Sequence, residues 1–327
     1  MHSSTSAAGA AVLAAVGAAS CAAPVRAAAF PVTVANCFET ATFAAPPRRV
    51  LVNDANMLQT LLDLGLADRI LAVSAIAGRE RTFIAPAATV SGLRQFSVQY
   101  PTLEAVLAQS PDFMFAGWSY GFDAARGVSP RGLAEFGIAT YTLRESCIRI
   151  GRREAMSIDV MYADVTALGA IFGVQERAAG LVEGYKRQLA EVASRLGSVK
   201  SRPRVMYCGD CSSTGAPLSS GAEGMPALIA TLSGGRNIFD DIPNSYVRVS
   251  WEEVVQRDPQ WILVSDDRLP ASRQIAHLLR DPQLKEVEAI RKKQFILVTY
   301  LQRSPSTRNV ETVERVARAL HPEAFAR

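Results

Sequence analysis

One phrase occurs twice in this chain, and the repetition constrains the fold more than any other feature of the sequence. Residues 102–116 read TLEAVLAQSPDFMFA, and residues 250–264 read SWEEVVQRDPQWILV. Each copy opens on a Thr or Ser suited to cap a helix, with a Glu in the first turn. Each then breaks at a proline and enters an apolar run typical of a buried parallel strand. The repetition predicts two similar α/β units.

The segments upstream of the two copies also correspond. Arg49 and Arg204 each precede an apolar strand, and the helix that follows is closed by Gly65 in the first half and Gly234 in the second. Each half therefore has the order β-α-β-α-β, which predicts a parallel sheet with helices on both faces. The expected fold class is α/β, with two Rossmann-like lobes.

A long helix is predicted between the two halves. From Gln175 to Leu196 the apolar residues keep helical spacing without a proline, and residues 198–203 end the segment. We expect a first lobe at 30–174, a connecting helix at 175–199 and a second lobe at 200–327, with a ligand cleft between the lobes. Two independent domains joined by a helical linker are the alternative, although the paired repeats favour lobes that face each other.

Residues 1–29 predict a cleaved export signal. Residues 7–23 are alanine-rich and uncharged, and A-x-A-like cleavage sites occur around residues 27–29. The segment before them lacks Lys and Arg, which is unusual for such a signal. Cys21 leaves lipid anchoring as an alternative, but Ala18 stands where lipoprotein signals usually carry Leu. We expect a periplasmic or exported, soluble protein, because no second apolar stretch approaches membrane length.

The composition argues against nucleic acids and bare metal ions as partners. The 327 residues carry a formal net charge of +4 without a run of five or six like charges, so nucleic-acid binding has no footprint. Histidine occurs only at positions 2, 277 and 321. A bare metal ion would have to use Asp, Glu and Tyr, and no cluster with ligand spacing occurs. We therefore expect no metal site.

Export leaves four cysteines, Cys37, Cys147, Cys208 and Cys211, after the signal. An oxidising compartment favours disulfides in one of three connectivities, and Cys37–Cys147 with Cys208–Cys211 is the economical pairing. The C-x-x-C spacing leaves an exported thiol oxidoreductase as an alternative function. However, a Ser- and Gly-rich loop follows Cys211 where a redox motif would start a helix, so a small disulfide is favoured. There is also no P-loop and no G-x-G-x-x-G after a strand, and we expect a protein that is not an enzyme.

Several phrases are shared with one bacterial family: APPRRVL (45–51), LLDLGLADRI (61–70), YPTLEAVLAQSPD (100–112), GVQERA (173–178) and VSWEEVVQRDP (249–259). Through them the chain resembles the class III, helical-backbone periplasmic substrate-binding proteins of ABC transporters, which deliver ferric siderophores and cobalamin. The likeness runs from about residue 32 to residue 325. The phrases are diagnostic of the fold family and not of the ligand.

The resemblance implies a two-lobed protein without an intrinsic cofactor, which docks on an ABC permease with its ATPase. The implied ligand is a metal chelate: an iron(III) siderophore or, alternatively, cobalamin, another corrinoid or tetrapyrrole, or a cofactor precursor. In this family one glutamate on each lobe pairs with permease arginines, and by motif position these are Glu104 and Glu252. Both would otherwise only favour their helix dipoles. We expect a monomer.

The ligand is expected beyond the carboxyl ends of the strands, where open α/β sheets bind their ligands. The loops there are rich in Trp, Tyr and Arg. Aromatic faces offer contact area and guanidinium forks grip anionic oxygens, which suits an anionic ferric chelate. Cobalamin would favour aromatic walls with fewer charges. The candidate contacts are Trp118, Tyr120, Arg94, Tyr246, Arg248, Arg303, Asp54 and Asp210.

Overall fold

The computed structural model describes residues 1–2, 29–79, 82–83, 87–151, 156–211, 215–267 and 269–326. Most of the expected export signal at residues 1–29, including Cys21, lies outside the described residues. The strands are β1 (Val32–Asn36), β2 (Glu39–Phe43), β3 (Val50–Asn53), β4 (Ile70–Ser74), β5 (Gln95–Ser97), β6 (Phe113–Trp118), β7 (Gly121–Phe122), β8 (Ala139–Thr142), β9 (Arg204–Cys208), β10 (Leu218–Ser220), β11 (Arg236–Asn237), β12 (Tyr246–Arg248), β13 (Trp261–Asp266) and β14 (Phe295–Thr299).

The helices cover both faces of the sheets and connect the strands. They are α1 (Ala55–Asp63), α2 (Ala87–Ser91), α3 (Leu103–Leu107), α4 (Pro130–Ala134), α5 (Ile158–Phe172), α6 (Gln175–Leu196), α7 (Met225–Leu232), α8 (Trp251–Arg257), α9 (Ala271–Arg280), α10 (Glu288–Arg291), α11 (Tyr300–Arg303) and α12 (Asn309–Leu320). Among the described residues, no helix has both the length and the apolar character needed to cross a membrane.

Two parallel sheets form two lobes, as the repeated phrase predicts. The first sheet has the order β5-β4-β3-β6-β7, with β8 also paired to β6, and the second has the order β11-β9-β13-β14. All pairings in both sheets are parallel. The central strands are continuous apolar runs because helices cover both faces, and Val50, Leu51 and Val52 of β3 are fully buried. The α/β fold class with two lobes is confirmed.

The helix predicted between the halves is present as α6 and belongs to both lobes. Ala178 and Val182 near its start pack in the core of the first lobe, whereas Val192 near its end packs in the core of the second. One rigid helix therefore contributes to two hydrophobic cores, which fixes the lobes to each other through side-chain packing.

A second connection between the lobes was not predicted from the sequence. After β14 the chain returns to the first lobe, where Tyr300, Leu301 and Val310 are buried in its core. The side chain of Asn56 donates to the carbonyl of Pro305 at 3.0 Å across this junction. The end of α12 then packs in the second lobe. The C-terminal segment thus crosses between the lobes alongside α6.

One strand was placed wrongly from the sequence. From the sequence, Arg94 is expected beyond the carboxyl end of a strand, because the apolar pair at residues 89–90 resembles a strand end; that pair lies in α2, and the strand β5 follows at Gln95–Ser97. Arg94 therefore stands before the amino end of a strand, where we had expected it in the loop beyond a carboxyl end. A short apolar pair such as Thr89-Val90 does not distinguish a helix from a strand.

The structure pairs Cys37 with Cys147 and Cys208 with Cys211, with Cα atoms 5.4 and 5.9 Å apart. This is the pairing that keeps each bond within one half of the chain. The first bond closes a separation of 110 residues and attaches the β1–β2 hairpin to the segment that precedes α5. Such a long closed loop restricts the unfolded chain strongly.

Candidate functional site

The cleft between the lobes holds a cavity of about 500 Å³ at the carboxyl ends of both parallel sheets. Two neighbouring cavities of about 620 and 350 Å³ share a wall with it, since Tyr100 lines all three. These volumes fall in the range of ligand sites, roughly 300–1,000 Å³. The main cavity is lined by charged and aromatic residues of both lobes: Arg79, Tyr100, Tyr120, Tyr207, Asp210, Arg248, Asp267, Tyr300 and Arg303.

Asp54 organises the first-lobe wall of the cleft. It follows β3, caps α1 through the amide of Ala55 and has no exposed surface. Its carboxylate also accepts hydrogen bonds from Arg79 Nη1 at 2.6 Å, the Tyr300 hydroxyl at 2.7 Å and the Tyr100 hydroxyl at 3.0 Å. We had expected Asp54 to touch the ligand. It lies beneath the cavity instead, where it holds three lining side chains in place.

Asp267 has the same role on the second lobe. It follows β13 and accepts from Arg303 Nη2 at 2.6 Å and from Arg79 Nε at 3.4 Å. Arg79 therefore bridges Asp54 of one lobe and Asp267 of the other. Both guanidinium groups lie near the Tyr300 ring, whose centre is 3.6 Å from Arg79 Cζ and 4.8 Å from Arg303 Cζ. Two arginines and two aspartates form a balanced network, which offsets the cost of burying them.

The surroundings keep these arginines charged and the tyrosines neutral. Burial opposes the charged form of Arg79, but Asp54, Tyr300 and Asp267 outweigh it and raise the Arg79 pKa. The Arg303 pKa is raised in the same way, against burial. Burial raises the pKa of Tyr120 well above its usual value. The cleft therefore offers guanidinium cations and phenol hydroxyls that donate hydrogen bonds, and not phenolates.

Two further guanidinium groups, those of Arg149 and Arg248, lie at the cavities. Arg248 is exposed and donates to the carbonyl of Ala216 at 2.8 Å. Arg149 is exposed beside the smaller cavity, with Cζ 5.7 Å from the centre of the Tyr120 ring. Among the described residues, neither forms a salt bridge. Their guanidinium groups can donate charged hydrogen bonds to an anionic ligand at the cavities.

Most of the remaining predicted contacts line one of the cavities, but Tyr246 and Arg94 do not. Tyr120, Arg248, Arg303 and Asp210 line the main cavity, and Trp118 lines the 350 Å³ cavity. Tyr246 lies behind the wall, where its hydroxyl donates to the carbonyl of Arg303 at 3.4 Å and its ring meets Tyr207. Arg94 is exposed and lines none of the three cavities, because it precedes the amino end of β5.

Residues that the sequence did not single out complete the wall. Arg79 follows β4, and Tyr100 follows β5, two strands whose ends were not recognised. The apolar run ILAVS at residues 70–74, a typical buried strand, was the available signal for Arg79. Asp267 and Tyr300 lie directly after β13 and β14, in segments that the rule of carboxyl ends assigns to the ligand, but they were not chosen as candidate contacts.

The Cys208–Cys211 pair lies in the core of the second lobe, with exposures of 0% and 1%. The position of Cys208–Cys211 after the first strand of the second lobe predicts a pair at the binding rim, and its burial corrects that prediction. Only the intervening Gly209 and Asp210 line the cavity. Thiol exchange needs an accessible sulfur atom, so burial of both sulfur-bearing residues argues against the oxidoreductase alternative.

A G-x-S-x-G motif, which is typical of hydrolases, occurs at residues 117–121. Ser119 is exposed after β6 with a φ of +61°, as a nucleophile would be. The chain then continues into β7 at Gly121–Phe122 and not into the helix that such an elbow requires. His321 is buried and contacts the carbonyl of Gly234, so it is not available to act as the base for Ser119.

Glu104 and Glu252 occupy equivalent positions on the two lobes. Each is exposed in the first turn of its helix, α3 or α8, after an N-cap of Thr102 or Ser250. Ser250 forms its capping box with Glu253, so Glu252 is not needed to cap the helix. Backbone and Thr102 hydrogen bonds lower the Glu104 pKa. Neither carboxylate forms a salt bridge within the described part of the chain.

The sequence model of a family described as Periplasmic binding protein matches residues 50–299. The chain belongs to this family. Proteins of this family are the solute-binding components of ABC importers and work with a membrane permease and an ATPase. No curated protein matches the chain by sequence.

Solved structures of periplasmic binding proteins share the fold. An ABC-type Fe³⁺-hydroxamate transport protein of Saccharomonospora viridis is 21% identical, with a TM-score of 0.76 over 91% of this chain and 100% of that one. A molybdate-binding protein of Haemophilus influenzae is 18% identical, with a TM-score of 0.73 over 90% and 93%. A heme-binding protein of Pseudomonas aeruginosa is 19% identical, with a TM-score of 0.67 over 84% and 93%. At these identities the likeness extends to the fold alone.

Two buried carboxyl groups lie behind the cleft wall of this periplasmic binding protein. Asp164 on α5 is 4% exposed, and burial raises its pKa to about 7, although it accepts from the Tyr141 hydroxyl at 2.9 Å. Burial also raises the pKa of Glu145, whose Oε2 is without a hydrogen-bond partner in the described structure. Burial thus shifts both carboxyl groups towards the protonated form, relative to the same groups in water.

We predict that Asp164→Asn changes how stability depends on pH. Since the folded pKa of about 7 exceeds the unfolded value of about 3.9, Asp164 contributes stability that is complete below about pH 4 and lost as the pH rises through 7. The free energy of unfolding of the wild type, relative to Asp164→Asn, should therefore fall by about 2–4 kcal/mol between about pH 4 and about pH 8. Urea denaturation measures this difference. Exposed Asp159 on the same helix supplies the control, Asp159→Asn, and parallel curves for wild type and Asp164→Asn would contradict the prediction.

Proposed function

We propose that this chain is an exported, monomeric binding protein that captures an anionic metal chelate of the iron(III)-siderophore type between its lobes and delivers it to an ABC permease. The observation that carries the proposal is the set of guanidinium groups at the cleft. Arg79 and Arg303 are balanced by Asp54 and Asp267, whereas Arg149 and Arg248 have no salt-bridge partner among the described residues. An anionic chelate would supply the missing negative charge.

Two observations favour a complete chelate over a bare metal ion. No group of three or more His, Cys, Asp or Glu side chains that could hold a metal occurs among the described residues. Burial raises the pKa of Tyr120 and of Tyr300, and the Tyr300 hydroxyl already donates to Asp54, so neither phenol is prepared as a phenolate ligand in the cleft. The cleft therefore suits a metal that arrives already coordinated, and recognises the chelator through hydrogen bonds and charge.

A corrinoid or other tetrapyrrole is the second candidate. Four tyrosines, Tyr100, Tyr120, Tyr207 and Tyr300, line the main cavity and offer flat apolar faces to a macrocycle. A tetrapyrrole with carboxylate side chains would also accept hydrogen bonds from Arg149 and Arg248. Cobalamin would form fewer charged contacts with these arginines. The charge of the cleft therefore ranks the anionic chelate first.

Fluorescence titration tests the proposal, because Trp118 lines one of the cavities. Iron(III) complexes of a catecholate, a hydroxamate and citrate are compared with cobalamin and haemin. We expect saturable quenching by an anionic iron(III) chelate. Arg149→Gln and Arg248→Gln should each weaken binding about tenfold or more, since a charged hydrogen bond contributes about 1.5–3 kcal/mol.

Arg131→Gln is the matched control, because Arg131 is exposed on α4 away from the cavities. Its affinity should equal that of the wild type. Flat curves with all iron(III) chelates, recorded on folded protein, would refute the proposal. Saturation by a tetrapyrrole alone would favour the second candidate.

We further propose that Glu104 and Glu252 dock the loaded protein on the permease. Two observations support this proposal. The two glutamates are exposed at equivalent positions at the start of α3 and α8, and neither forms a salt bridge within the described chain. Two equivalent carboxylates suit a partner whose two halves are themselves equivalent.

Charge reversal tests the docking proposal. Glu104→Lys and Glu252→Lys should each lower the ligand-stimulated ATPase activity of the cognate permease in proteoliposomes about fivefold or more, without changing ligand affinity. Exposed Glu135 provides the control variant Glu135→Lys. Full stimulation by the Glu104→Lys/Glu252→Lys double variant would show that docking uses another surface.

A further inference from the structure

A side cavity opens beside the main cavity, and apolar side chains form part of its wall. It has a volume of about 350 Å³ and is bounded by Trp118, Phe122, Ala124 and Ile150, together with Tyr100, which it shares with the main cavity. All of these residues belong to the first lobe. The indole of Trp118 packs on Phe122 with ring centres 5.9 Å apart, which gives the cavity an aromatic wall.

Exposed apolar side chains continue from this cavity to the surface. Ile150 lines the cavity and is 48% exposed, and Phe38 is 56% exposed. The Phe38 ring lies directly over Gly151, since a Cβ added there would approach the ring to 2.2 Å. The Cys37–Cys147 bond attaches the hairpin that carries Phe38 to the segment that carries Ile150. Phe38 is therefore held beside the segment that carries Ile150, and these two exposed side chains are called the apolar rim; of the two, Ile150 lines the side cavity.

The neighbouring 620 Å³ cavity also has an exposed apolar side chain in its wall. Val98 lines it and is 67% exposed. Phe38, Val98 and Ile150 are three of the few large apolar side chains that are exposed among the described residues. Large exposed apolar residues that gather around a cleft indicate a surface that becomes covered when a ligand binds.

The side cavity also has polar groups at its edge. Arg149 and Arg126 line it, and Arg149 has no salt-bridge partner in the described chain. The Nε1 atom of Trp118 is buried and has no hydrogen-bond partner in the described structure. A purely hydrocarbon ligand would leave these donors unsatisfied. The walls fit an apolar arm that is joined to an anionic or carbonyl-bearing group.

We infer that the ligand is amphiphilic: its anionic, metal-bearing head lies in the main cavity, and a single apolar arm lies in the side cavity and against the rim of Phe38 and Ile150. This inference rests on the proposed function, which it narrows to chelates that carry an alkyl or aryl arm. Tyr100 lines both cavities, so the two lie next to each other, and the inference requires that one molecule spans them.

The test uses two probes with the same head. The iron(III) complex of N,N′-bis(2,3-dihydroxybenzoyl)lysine is prepared as its methylamide and as its octylamide, which have equal charge. Calorimetry measures both dissociation constants with the full mature protein. The octylamide should bind at least about tenfold more tightly, because each buried methylene contributes about fourfold in affinity.

Variants at the rim test whether Phe38 and Ile150 cause the tighter binding of the octylamide. The double variant Phe38→Ser/Ile150→Ser should reduce the advantage of the octylamide over the methylamide to about threefold or less. Phe136 is 54% exposed and lines none of the cleft cavities, so Phe136→Ser should keep the full advantage.

The outcomes separate the two proposals. Equal binding of both probes, or an octylamide advantage that survives in the double variant, would overturn the amphiphilic ligand and leave the chelate-binding function standing. Failure of both probes, together with flat titrations for the other iron(III) chelates, would overturn the function and the inference that rests on it.

Discussion

The Asp54 carboxylate is fully buried, and it accepts hydrogen bonds from the amide of Ala55, the guanidinium of Arg79 and the hydroxyls of Tyr100 and Tyr300. A buried carboxylate without such partners is strongly destabilising. Four segments that are distant along the chain must therefore converge on one point. Because Tyr300 belongs to the segment after β14, this convergence also sets where the second lobe meets the first.

Two connections between the lobes help to hold the segments that converge on Asp54 in place. Both α6 and the C-terminal segment from α11 to α12 contribute side chains to the cores of both lobes. The cleft therefore has a defined width, and its wall is built before a ligand arrives. Preorganisation of this kind reduces the entropy lost on binding, since Arg79 and Arg303 are already held by Asp54 and Asp267.

The sequence predicted the regular elements better than the site. The repeated phrase identified two parallel sheets, and the uninterrupted helical spacing from Gln175 to Leu196 gave α6 at its observed bounds. Arg303 and Tyr120 were found because they follow recognised strands. Arg94 was wrongly placed, because a shift of a few residues in one strand moves a side chain from one end of the sheet to the other.

Long-range convergence explains what was missed. Asp54, Arg79 and Tyr100 are separated by more than twenty residues from one another, and no local pattern shows that they share a hydrogen-bond network. The same holds for the return of Tyr300 to the first lobe, because the apolar residues of α11 and α12 do not reveal which core they join. Sequence patterns specify which face of an element is buried, but not its distant partner.

Anomalous diffraction at the iron absorption edge tests the central claim most directly. Crystals of the mature protein are grown with an iron(III) chelate that quenches its fluorescence. We predict one iron peak in the cleft between the lobes, with the chelator in contact with Arg303 and Tyr300 and the Asp54–Arg79 pair intact beneath it. An iron peak outside the cleft, or a chelator that contacts none of the cleft arginines, would contradict the account.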